Sequence, residues 1–243
     1  MFFGFFWGDW TLIVLLPAMI FAFVAQARVQ SAFNKFDKMP TSRRISGAEA
    51  ARRILDKNGL YDVKVEKVRG HLSDHYDPRT RVIRLSEATH DSVSVAALGV
   101  AAHEAGHAVQ HATGYVPLKL RAAIIPITQI GSRLAMPLFL IGLLLSYSAY
   151  EGSVYGEIMM FSGIILFSFS TLFQLITLPT EFNASRRAMR TLEESEILYG
   201  DELVGARRVL SAAAMTYVAA LATSLAYLLR FILIAGGASN RRR

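Results

Sequence analysis

The sequence predicts an α-helical membrane protein of about four transmembrane helices carrying a small cytoplasmic α+β unit, and three observations lead there. Of its 243 residues, 53% are hydrophobic, and the mean hydropathy is positive at +0.34. Four apolar stretches approach the roughly 20 residues that a helix needs to cross a bilayer. Between the first two, the polar chain switches between helical and alternating periodicity.

The first stretch, residues 10–27, reads WTLIVLLPAMIFAFVAQA and holds no charge. Its VAQA end, with Ala25 and Ala27, has the small-x-small pattern of a cleaved leader. Such a leader carries positive charge before its apolar core, however, and Asp9 is the only charge there. Arg28, Lys35, Lys38, Arg43 and Arg44 follow the stretch instead, which favours an uncleaved anchor with its N-terminus outside. Residues 134–150 and 154–178 form a hairpin around YEGSVYGE. The fourth stretch, 209–234, is apolar apart from hydroxyl groups and Arg230.

Lys and Arg are frequent across residues 28–121, whereas the connection after the second stretch carries Glu151 and Glu157 and no cation. The positive-inside rule therefore places 28–121 and 179–208 in the cytoplasm. The terminal NRRR dissents, because four crossings put it outside; a fourth helix that re-enters would reconcile the two. The expected organisation is an anchor at 1–27, an α+β unit at 28–121, a transmembrane hairpin at 122–178, a cytoplasmic helix at 179–208, and a transmembrane helix with a basic tail at 209–243.

A net charge of +7 raises nucleic acid as a partner. The basic residues cluster beside apolar stretches and interleave with acids, so a lipid bilayer is the expected partner and nucleic acid is not. The absence of cysteine excludes disulfides and thiolate metal ligands, leaving nitrogen and oxygen donors.

Within the polar region, SAFNKFDKMPTSRR reads as a linker. Ser46 with Glu49 three residues later forms a capping box that opens a helix ended by Asn58 and Gly59. YDVKVEKV alternates as a half-buried strand, DHYDPRT turns around Asp77 and Pro78, and RVIRLS resumes as a strand. A long helical stretch, DSVSVAALGVAAHEAGHAVQHATG, closes at Gly114.

That stretch contains His103, Glu104 and His107. Residues four apart share a helix face, so both imidazoles can reach one metal ion while Glu104 reaches a water bound to it as general base. A chain with six histidines is expected to show this spacing by chance only about 0.007 times. Ala101, Ala102, Ala105, Gly106 and Ala108 are small and admit close neighbours. A catalytic zinc needs a third protein ligand and one open position. His111 lies on the same helix and cannot complete a tetrahedron. Glu181, in LPTEFNASRRA, is the best candidate, because Pro179 and Thr180 read as a helix start at the cytoplasmic end of the third stretch. An acidic residue favoured by a helix dipole is the plainer explanation of Glu181 alone.

The segments GHLSDHYDPRTRVIRLSE, VAAHEAGHAVQ and LPTEFNASRRA, in this order among four apolar stretches, resemble the YugP-like family of membrane-bound neutral zinc metallopeptidases. The likeness runs from Ser46 to Arg190. That family is similar in turn to the HtpX and CAAX prenyl proteases, gluzincins in which His-Glu-x-x-His and a Glu on a later helix bind zinc. The resemblance implies a zincin-like metallopeptidase unit in a bacterial plasma membrane, facing the cytoplasm. It also implies one Zn2+ per chain held by His103, His107 and Glu181, with Glu104 as catalytic base. Related gluzincins place Asp four residues after the ligand Glu, where it orients a ligand histidine; Ser185 stands there instead, so Asn183 and Ser185 are candidates for that support.

Further candidates surround this set. Residues 81–86 are expected as an edge strand that pairs with substrate backbone, as edge strands do in zincin-like folds. His71, Asp74 and His75 lie just before it. Arg186 and Arg187 either steady a developing oxyanion or anchor the chain at the membrane. The resulting expectation is an endopeptidase acting on peptides or membrane proteins. The alternative is a catalytically silent membrane scaffold retaining the fold. An intramembrane protease is disfavoured, because the motif helix carries His90, Asp91, Gln110 and His111 and the chain lacks an Asn-Pro-x-Asp-Gly element. No residue pattern selects a cleavage sequence or an oligomeric state.

Overall fold

A computed structural model of the chain describes residues 10–70, 73–148 and 154–240, so His71, Glu151 and the terminal arginines Arg241 to Arg243 lie outside the described residues. A 3-10 turn, Trp10–Val14, leads into α1 (Leu15–Asp37). Then follow α2 (Gly47–Lys57), β1 (Lys64–Val68), β2 (His75–Asp77), β3 (Val82–Ser86), α3 (Glu87–His90) and α4 (Val95–Ala112). Three long helices complete the chain: α5 (Val116–Ser148), α6 (Val154–Glu194) and α7 (Asp201–Asn240). Four helical segments are long and apolar enough to cross a membrane: Trp10–Asp37, Val116–Ser146, Val154–Glu194 and Asp201–Gly237.

The chain divides into two compact units. One comprises Met1–Val24, Leu120–Thr177 and Val218–Arg243. Ile13, Phe23, Ile141, Phe161 and Leu229 are exposed on it, a distribution that suits helices surrounded by lipid rather than water. Its buried cluster is Phe139, Leu143, Met160, Ile164, Phe231 and Ala235, with the Phe139 and Phe231 rings stacked at 4.5 Å. Gly163 permits close packing of α5 on α6, since a Cβ there would fall 2.7 Å from the Ala135 carbonyl oxygen. Arg230, the one charge in the fourth apolar stretch, donates to the Thr11 hydroxyl at 3.2 Å.

The other unit comprises Ala25–Lys119 and Leu178–Tyr217. Its core gathers Phe33, Phe36, Ile54, Leu55, Ile83, Leu85, Leu98, Leu192, Ile197 and Leu198 from α1, α2, β3, α4, and the chain from the end of α6 to α7. Helix α2 starts where Ser46 accepts the Glu49 amide at 3.1 Å. Only half of the expected capping box forms, because the Glu49 carboxylate pairs with Arg53 at 2.6 Å, one turn ahead on the same face. Gly59, with φ of 71°, supplies the left-handed turn that ends the helix. The segment read as a linker is tied down as well: the Ser42 amide and hydroxyl donate to Glu202 at 2.7 and 2.6 Å.

The sheet has the order β1-β3-β2. β1 runs parallel to β3, and β2 pairs antiparallel to it with Tyr76 opposite Ile83. Two expectations change here. The stretch read as a turn contributes a short strand, β2. Residues 81–86 form the centre of the sheet rather than an edge, so both ladders of β3 are already filled and no substrate strand can add to it.

Helix α6 also departs from expectation. It runs through Pro179 instead of starting there. Proline's fixed φ is itself helical, so a helix can continue through it at the cost of one backbone hydrogen bond.

Candidate metal centre

Helix α4 begins cleanly because Ser94 accepts the Ala97 amide at 3.1 Å while its hydroxyl donates to Asp37 at 2.9 Å. It ends at Gly114, whose φ is 64°. Between these stops the helix is almost wholly buried on its alanine-rich faces. Gly106, between the two histidines of the motif, is what lets α6 approach: a Cβ at this position would lie 2.7 Å from the Ala184 carbonyl oxygen. The four-residue spacing sets both imidazoles on one face, and the close approach brings Glu181 of α6 against them.

His103 Nε2 lies 3.2 Å and His107 Nε2 3.4 Å from Glu181 Oε2. The two rings meet edge to face with centroids 4.7 Å apart. One ligand atom from each of the three residues falls within 4.8 Å of the others. Two ligand atoms held about 2.0–2.1 Å from a tetrahedral ion are about 3.3 Å apart, so the spacings to Glu181 match a shared ion. The donor set of two imidazole nitrogens and one carboxylate oxygen suits zinc. Glu181 is only 2% exposed, and a buried carboxylate is costly unless a cation balances it. At His107, burial works against the charged ring, yet the hydrogen bond to Glu181 and the nearby Glu104 and Glu181 charges outweigh it and raise the pKa above the ordinary value. The pocket thus favours positive charge between these residues.

The far nitrogens of both rings are held. His103 Nδ1 lies 3.0 Å from Ser185 Oγ, and His107 Nδ1 lies 2.9 Å from Gln110 Oε1. Glu104 is 8% exposed; no described residue hydrogen-bonds its side chain, leaving the carboxylate available for a proton.

The other candidates are placed as follows. Ser185 meets His103. Asn183 does not reach a histidine; it accepts from Gln110 Nε2 at 3.0 Å and from Arg187 Nε at 2.8 Å. Arg186 is exposed and makes no side-chain bond to any described residue. Asp74 accepts the Ser86 amide at 2.8 Å and its hydroxyl at 3.0 Å, and His75, at the start of β2, donates from Nδ1 to the Ser73 carbonyl at 2.8 Å; both are taken up by local bonds beside β3. His111 pairs with the Tyr76 hydroxyl at 2.8 Å. In the sequence, Gln110 stands out only as a polar residue of the motif helix. Its signal was there: an amide three residues past His107, on the same face, among alanines and valines.

The sequence matches the family described as "Putative neutral zinc metallopeptidase" over residues 11–236. The chain belongs to that family. This zinc metallopeptidase family member is also 49% identical over 219 residues to the "Putative membrane protease YugP" of Bacillus subtilis (strain 168), covering 90% of this chain and 93% of that protein. No solved structure matches the chain. The family and the relative agree with the donor chemistry of His103, His107 and Glu181, and with the four apolar helices that make it a membrane protein.

Proposed function

We propose that the chain is a membrane-anchored endopeptidase of the gluzincin type that hydrolyses peptide bonds at the cytoplasmic membrane face. The observation that carries this reading is the convergence of His103 Nε2 and His107 Nε2 on Glu181 Oε2, with the unbonded Glu104 carboxylate one residue from His103. His103, His107 and Glu181 would hold the ion. Zinc, when bound, supplies a Lewis acid that acidifies water and polarises the scissile carbonyl. Glu104 takes the proton of the attacking water on a carboxylate oxygen and passes it to the leaving amine nitrogen as the C–N bond breaks. Burial of Glu181 keeps bulk water from competing for the ligand positions. The Lys and Arg content of residues 28–121 supports the cytoplasmic orientation. The sheet has two open edges, β1 and β2; β2, whose Tyr76 bonds His111 on the helix that carries the histidine pair, is the edge for an extended substrate segment to add to.

The test uses the full-length protein in detergent with casein as probe. The wild type should bind about one zinc and cleave casein, and Glu104→Gln should keep the zinc while cleavage is lost. Cleavage at the wild-type rate by the zinc-loaded variant is incompatible with the proposal.

A further inference from the structure

Gln110 is a polar side chain with 0% exposure in a helix whose buried neighbours are alanine and valine. A buried amide is tolerated only when its donors and acceptor are paired, and here all of them are. Its Nε2 donates to the Thr180 carbonyl at 2.8 Å and to Asn183 Oδ1 at 3.0 Å, while Oε1 faces His107 Nδ1 at 2.9 Å.

The orientation of this amide follows from its partners. A backbone carbonyl can only accept, so the end of Gln110 that meets Thr180 must be the NH2 group. Asn183 is oriented in the same way: Arg187 Nε–H can only donate, and it lies 2.8 Å from Asn183 Oδ1. Gln110 Oε1 is thereby turned to His107, and since that oxygen can only accept, His107 Nδ1 must carry a hydrogen. Nε2 also faces an acceptor, Glu181 Oε2, but at a longer 3.4 Å against the 2.9 Å at which Nδ1 meets Gln110, so in the neutral ring the one hydrogen belongs on Nδ1 and the lone pair on Nε2. At His103 no such conclusion holds, because the Ser185 hydroxyl can donate or accept.

The same amide also spans two helices. Thr180 and Asn183 flank Glu181 on α6, while His107 and Gln110 are one turn apart on α4. One side chain therefore sets both the tautomer of one metal-facing imidazole and its position relative to the metal-facing carboxylate.

We propose that Gln110 is a positioning residue, locking His107 as the Nδ1–H tautomer and clamping it to the Glu181 turn through Thr180 and Asn183. Its consequence for metal affinity rests on the zinc-site reading above; its consequence for the tautomer does not. Supporting partners on the far nitrogen of a ligand histidine fix ring orientation, and their loss costs about 10- to 100-fold in metal affinity.

Two measurements on the full-length protein in detergent test this. The first is a long-range 15N–1H spectrum of metal-free, histidine-labelled protein at a pH where the ring is neutral, with His107 assigned by difference against His107→Ala. Wild type should show the Nδ1–H form. Gln110→Met removes every bond at similar volume and should release His107 into a tautomer mixture, whereas Gln110→Glu keeps an acceptor for Nδ1–H and should retain the wild-type form. The second is zinc affinity by competition with a chromophoric chelator, expected to fall about 10- to 100-fold in Gln110→Met and by less in Gln110→Glu. An Nε2–H tautomer in the wild type overturns the proposal and needs no variant to fold. So does a folded Gln110→Met protein with unchanged tautomer and zinc affinity. A wild type that shows the Nδ1–H form yet binds no zinc removes the zinc-site reading and leaves the tautomer lock standing.

Discussion

Ser185 Oγ sits 3.0 Å from His103 Nδ1, one helical turn after Glu181 on the same face of α6. The contact is made by a short, neutral hydroxyl. Ser185→Ala should cost about 0.5–1.5 kcal/mol, the usual net worth of a neutral hydrogen bond, and so weaken zinc binding about 2- to 10-fold. Chelator competition measures it, and an unchanged affinity would mean the contact does no orienting.

Glu181 is the residue on which both Nε2 atoms converge. Glu181→Ala should lower zinc affinity by more than the 10- to 100-fold that loss of a supporting contact costs, with zinc content in the purified protein falling well below one per chain. Wild-type zinc content in that variant at low free zinc would remove Glu181 as a ligand.

The approach of α4 to α6 depends on Gly106. In Gly106→Ala the new methyl would stand 2.7 Å from the Ala184 carbonyl oxygen, a backbone atom that cannot rotate aside. Overpacking of this kind costs about 1–3 kcal/mol. Thermal unfolding in detergent should show a lowered midpoint, together with weaker zinc binding, because the displaced helix carries Glu181.

Asp77 closes the turn between β2 and β3. The Thr80 hydroxyl and the Arg79 amide donate to its carboxylate, with Arg84 adding a weaker contact, and hold its pKa at about 2 against an ordinary 3.8. A folded-state pKa below the unfolded one stabilises the fold above the unfolded value, and that contribution is lost as pH falls through the folded value. Asp77→Asn should therefore unfold at a lower temperature than wild type near neutral pH, and the gap should close between 3.8 and about 2. A gap that stays constant over that window would mean the carboxylate charge is not what holds the turn.

Local signals in the chain were legible. The helix cap at Ser46, the stops at Gly59 and Gly114, and the pairing of His103 with His107 depend on residues within one turn of each other, so spacing and side-chain chemistry suffice to read them. Pro179 misled because a proline marks a helix start in sequence but can also lie inside a long helix, where continuing apolar contacts offset one lost bond. The order of the sheet was hidden because β2 is only three residues long and alternation says nothing about which strand lies between which.

By itself, then, the sequence determined four apolar helices, two imidazoles and a carboxylate on one helical stretch, and the exclusion of thiolate chemistry, since each follows from composition or from a period along a single segment. Only the tertiary structure decided how Gln110, Ser185 and Glu181 meet the histidines, because those contacts join positions more than seventy residues apart or depend on which face of α4 is buried. The reason is the packing of one helix on another: Gly106 sets how close α6 can come, and that distance selects which of its side chains reach the imidazoles.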